Sequence, residues 1–156
     1  MIKETTALGY AVRAFANILL PIDEGRFDYT KEEVAEHFKT EKAEKLLEMI
    51  KLLVEAGAEI NYICKHAQPP LVVAARCNLE ELLSFLLLHG ADPNMKGEYE
   101  YPLAMSLRQN NLKTARLLLE KGASIMNKTY KGEYLFQEAK SEEMLQMLKE
   151  FETKEA

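Results

Sequence analysis

The sequence predicts an all-α solenoid: about four helix-turn-helix units joined by short turn fingers, the first unit enlarged. Three observations predict it. Glycine recurs at Gly57, Gly90 and Gly122, spaced 33 and 32 residues apart. Asparagine recurs at Asn61, Asn94 and Asn127, 33 residues apart each time. A Pro-Leu pair opens two segments, Pro70-Leu71 and Pro102-Leu103, and each proline stands 20 residues before its glycine. Ladders that share one period mark a stack of like units, none of which buries its apolar face alone.

Within a unit the elements follow in order. Proline tolerates the first turn of a helix, whose leading N–H has no partner there in any case. Pro70 and Pro102 therefore start a short first helix, and a tight turn follows it. The leucines of "FLLLHG" (85–90) and "LLLEKG" (117–122) nearly encircle a second helix, which predicts burial between neighbours. Gly57, Gly90 and Gly122 then end that helix in the left-handed conformation, which other residues reach only under strain. Glu80-Glu81 and Glu142-Glu143 fall at helix starts, where acids favour the dipole.

A unit of this length, with P-L…A in its first helix and L-L-L-x-x-G-A-D-x-N in its second, resembles the ankyrin repeat. The resemblance covers residues 43–151 of one domain, 1–156, with units at about 1–60, 61–93, 94–126 and 127–151. In the last unit "GEYLFQEA" (132–139) stands where the family has G-x-T-P-L-H-x-A, and "EEMLQMLKEF" supplies the outer helix. In the first, "TALGYA" (6–11) fits the same template. The family's T-P-L-H becomes T-A-L-G, P-P-L-V, Y-P-L-A and Y-L-F-Q. In the family those side chains bond the turns of neighbouring units, so their loss predicts a less regular and less stable stack.

The first unit has about 30 extra residues, expected between its two helices around 21–42. Thr30 with Glu33 forms a capping box and predicts a short helix over 31–38. A further start at Thr40 or Glu41 leads into "EKAEKLLEMIKLLVEAG". Seven acids and four bases between 21 and 42 make a solvated surface. Two readings stay open for it: an elaborated end cap with a polar outer face, or a contact loop of its own.

Hydrophobic residues make up 47% of the 156, which argues against global disorder. A net charge of −5 argues against phosphate-driven nucleic-acid binding and against anionic membranes. No apolar run reaches the ~18 residues of a spanning helix, and the start lacks the basic region and cleavage site of a signal peptide. The expectation is a cytoplasmic protein, or an effector exported by a route that reads no signal peptide. Cys64 and Cys77 read as free thiols, and Asn127-Lys128-Thr129 as a chance sequon.

Catalytic and metal patterns are weak. Cys64-x-His66 offers two metal ligands where a zinc site needs more, and as a nucleophile pair it lacks an orienting acid. Neither a phosphate-binding glycine loop nor H-E-x-x-H occurs. The resemblance implies a different use, binding through finger tips and the concave row of first helices. Tyrosines and cations are what interface centres favour. At the tips these are Tyr62, Lys65 and His66, then Lys96 and Tyr99, then Lys128, Tyr130 and Lys131. The first helices add Tyr10, Val73, Met105 and the register-matched Arg13, Arg76 and Arg108. The arginines form a basic ladder, or each pairs with a neighbouring unit's acid.

The resulting expectation is a monomeric protein-protein interaction module, an adaptor or scaffold without cofactor or turnover. Its partner-binding residues are Tyr62, Lys65, His66, Arg76, Lys96, Tyr99, Met105, Arg108 and Tyr130. The alternative is a regulatory or inhibitory protein, immunity-like or a pathogen effector, acting through the 21–42 insertion.

Overall fold

The computed structural model describes residues 7–19, 32, 40–61, 68–97 and 100–155. These form α1 (Ala7–Leu19), α2 (Glu41–Glu55), α3 (Pro70–Arg76), α4 (Glu80–Leu88), α5 (Pro102–Arg108), α6 (Leu112–Glu120), a 3-10 helix (Leu135–Glu138) and α7 (Glu142–Glu155). Helices α1, α3, α5 and the 3-10 helix stack in that order as an inner row. An outer row lies behind it: α2 packs on α1, α4 on α3 and α6 on α5, while α4, α6 and α7 follow one another. This is the predicted all-α solenoid, and the core runs between its two rows.

Pro70 and Pro102 occupy the first positions of α3 and α5. Every residue of α3 and α5 is buried except the last, Arg76 and Arg108. The chain then reverses through Asn78 (φ 55°) and Asn110 (φ 51°). Asparagine enters this left-handed region more readily than other side chains because its amide bonds locally. Leu79 N donates to Ala74 O, and Asn111 N to Ser106 O, both at 2.9 Å, which closes each reversal. Asn111 then caps α6 by accepting from Thr114 N. Thr40 caps α2 by accepting from Ala43 N at 3.3 Å, at one of the two starts the sequence allowed.

The outer helices end as predicted. Gly57, Gly90 and Gly122 have φ of +88°, +89° and +92°. The next residues, Ala58, Ala91 and Ala123, donate back to Leu53, Leu86 and Leu118. That bond satisfies a carbonyl the helix itself leaves open. On α4 the buried stripe is Leu82, Leu83, Leu86 and Leu87. Leu88 turns off that stripe and is 74% exposed, so the leucine block covers less than the full circumference.

Two parts depart from the regular unit. Helices α1 and α2 have 13 and 15 residues, where α3 and α4 have 7 and 9. Twenty-one residues separate α1 from α2, against three between α3 and α4. The extra length is therefore shared between two longer helices and their connection. The helix expected over 31–38 and its Thr30–Glu33 box lie outside the described residues apart from helical Glu32. In the last unit, "LFQE" forms one 3-10 turn in place of an inner α-helix. The Gln137 side chain accepts from Tyr134 N at 3.0 Å, and Ala139 is already extended (φ −65°, ψ 125°).

Two polar ladders tie the units together. Asn61 donates to Gly90 O at 2.9 Å and accepts from Asp92 N at 2.8 Å. Asn94 repeats this one unit on, donating to Gly122 O and accepting from Ser124 N, both at 2.8 Å. Asn127 in turn donates to Asn94 Oδ1 at 3.0 Å. At the helix reversals, Asn111 donates to Asn78 Oδ1 and Ser141 to Asn110 Oδ1, both at 2.8 Å. Asn127, Asn111 and Ser141 thus bridge neighbouring units, while Asn61 and Asn94 tie the start of a unit to its closing loop.

Candidate functional site

The fingers project where one unit's outer helix hands over to the next unit's inner helix. In the finger over 94–101, Gly97 N donates to Glu100 O at 2.8 Å. In the finger over 127–134, Lys128 and Tyr134 form an antiparallel bridge, the one isolated bridge among the described residues. Gly132 turns its tip at φ +81°. Each finger ends on a tyrosine that precedes the inner helix, Tyr101 or Tyr134. A lysine lies over each ring: Lys96 at 5.6 Å from Tyr101, and Lys128 at 4.7 Å from Tyr134. Tyr101 is half-buried against the core. Tyr134 is exposed and stacks on Phe136 with centroids 6.0 Å apart.

Arg108, the last residue of α5, is the electrostatic centre between these fingers. Its guanidinium holds both oxygens of Glu138 in the next unit, at 3.0 and 3.1 Å. It also donates to Glu100 Oε1 at 2.6 Å. These hydrogen bonds, led by the one to Glu138, raise the guanidinium's pKa against the opposing effect of burial. The Arg108 hydrogen bond holds the Glu138 carboxyl below its ordinary range, and Lys131 and Lys140 add to that effect. Glu100 is 4% exposed, and its Oε2 has no hydrogen-bond partner. Tyr130 sits outside this cluster, 60% exposed, with Arg108 at 6.0 Å and Lys131 at 5.6 Å from its ring.

The structure sorts the sequence-derived surface. Tyr62, Lys65, His66 and Tyr99, with Cys64, lie outside the described residues. Tyr130 is exposed, Lys96 is half-buried over Tyr101, and Arg76 is half-buried at the end of α3. Met105 and Val73 do not line the surface: they are 4% and 3% exposed, on inner helices clasped from both sides. Arg108 takes the pairing alternative, bound to a neighbouring unit's acid rather than standing in an open ladder. Glu100, Glu138 and Phe136 were missed. The 32-residue spacing from Arg76 placed Arg108 correctly, but no local pattern names its acids. Cys77 is buried, and burial pushes its thiol up to about 12, so it is protonated and inert near neutrality.

Residues 40–129 match the family of ankyrin repeats in three copies, and this span is more than half of the 156-residue chain. The chain belongs to the ankyrin repeat family. Among solved structures it is similar to the ankyrin repeat domain of Bcl-3, a unique member of the IkappaB protein family. That likeness has a TM-score of 0.63 at 25% identity, over 69% of this chain and 49% of the other. The chain thus spans about half the length of that relative. No curated protein matches the sequence. Ankyrin repeats generally bind other proteins, so this chain is built on an interaction fold.

Proposed function

We propose that the protein is an adaptor or scaffold that binds another protein through its finger tips and the concave row of inner helices. The observation that carries this reading is Tyr130. A large aromatic side chain stands 60% exposed between two cations, on a finger anchored to the core. Tyr10 on α1 is exposed to a similar degree, at 61%, with Arg13 one turn further along the same helix. Rigid aromatics flanked by cations bring contact area and directional bonds at little entropic cost. The stacked units hold such groups in fixed register, which is what a binding surface needs.

The test is capture of partners from native lysate by the intact chain and by a variant with Tyr10→Ala, Arg76→Ala and Tyr130→Ala. Arg108 is spared, because its removal strands two carboxylates. The expected result is loss of the captured set with an unchanged circular dichroism spectrum. The same set bound by both proteins would refute this surface.

A further inference from the structure

We propose that the last finger and the 3-10 helix behind it form a docking patch for an acidic, partly apolar segment of a partner protein. This rests on the interaction reading above and specifies the chemistry of what is bound.

The charges of the chain are sorted by row. The outer helices α2, α4, α6 and α7 carry twelve acids against seven bases. The inner elements α1, α3, α5 and the 3-10 helix carry three arginines against one glutamate. A chain of net charge −5 thus keeps an excess of cations along its inner row.

On the last finger, cations and rings alternate. Lys128 lies over Tyr134, Tyr134 stacks on Phe136, and Tyr130 stands between Lys131 and Arg108. Phe136 is 41% exposed although it holds the register of the buried Leu71 and Leu103. A lysine over an aromatic face is positioned without being neutralised, so its N–H groups still face an incoming carboxylate.

Of the acids nearby, two are engaged by Arg108, and Glu133 on the same finger is exposed. Arg108 holds Glu138 by both oxygens and Glu100 by one. Among the described residues no salt bridge joins Lys128 or Lys131 to an acid. The patch therefore offers two exposed ammonium groups beside apolar ring area. Carboxylates match the first and aliphatic side chains the second. A nucleic acid is also anionic, but two lysines give few phosphate contacts, and the acidic outer row repels a polyanion.

The experiment is an amide chemical-shift titration of the isotope-labelled full chain with a short synthetic Glu/Leu peptide. The expected shifts cluster over residues 127–138, and a Lys/Leu peptide produces none. Lys128→Glu with Lys131→Glu should weaken binding at least about tenfold, and Phe136→Ala should weaken it to a smaller extent. Both lysines are exposed, so the fold survives, as circular dichroism will verify. Shifts centred elsewhere, no shifts, unchanged affinity in the charge-reversed variant, or stronger competition by oligothymidylate would each overturn the proposal. Lysate capture by that same variant separates the two readings. Capture that persists keeps the interaction function while removing this patch from it.

Discussion

Leu103 and Phe136 hold the same place in successive units, the second residue of the inner helix, yet one is 1% and the other 41% exposed. Leu103 sits on α5, which has α3 on one side and the 3-10 helix on the other. Phe136 sits where the inner row ends, with α5 on one side. Burial in this molecule is conferred by neighbours on both sides, not by the unit's own sequence. The interior of the stack spends its apolar residues on cohesion. The last inner element leaves an apolar ring 41% exposed.

The largest effects should come from positions that need both neighbours. Leu103→Ala should cost about 2–5 kcal/mol in urea unfolding. Phe136→Ala should stay within about 0.5–1 kcal/mol. Equal costs would erase the distinction between interior and end.

Arg108→Met comes next. It strands Glu100 and Glu138, whose side chains are 4% and 17% exposed. The cost should be about 2–3 kcal/mol at neutral pH, reduced from the fully buried case by the partial exposure of the cluster. Glu138 is held ionised below its ordinary range. Its contribution to stability is therefore present above the unfolded pKa of about 4.3 and is lost as pH falls through the lowered folded value. The penalty of Arg108→Met should be constant from neutrality to about pH 5 and shrink below about pH 4. A pH-independent penalty would remove Glu138 from the account. The pair Lys113–Glu80 also joins neighbouring units, but Lys113 is 79% exposed, and Lys113→Met should leave the melting curve unchanged.

Asn94→Ala removes the bonds to Gly122 O and Ser124 N and the acceptor for Asn127. A loss of about 1–2 kcal/mol is expected, with faster hydrogen exchange at Ser124. Gly90→Ala should cost about 1 kcal/mol, because a Cβ there meets nothing within 4 Å and only the positive φ is strained.

Where the fold was legible in advance, the reason was local. Pro70, Pro102 and the three glycines act through their own backbone restrictions, so their spacing alone located helix starts and stops. The asparagine ladder was visible as a 33-residue period, but a period does not say what its side chains bond. Its side chains in fact reach backbone groups 28 to 31 residues further on. Met105 looked like a surface residue because register shows which face of a helix a residue occupies, not what covers that face. Arg108, Glu100 and Glu138 are separated by 8 and 30 residues, and their meeting depends on how units nest. The 3-10 turn at 135–138 was also out of reach, since the template match there was the weakest of the four.

Asn61 and Asn94 each reach forward along the chain to the loop that closes their unit, and Asn127 reaches back to Asn94. Such a molecule behaves mechanically as a zipper rather than a block. Pulled from its ends, it bears load on one rung at a time. Each rupture frees one unit of 33 residues, roughly 110 Å of extended chain. A partner bound across two fingers would hold two units shut at once, so binding would register as a change in the spacing of those steps.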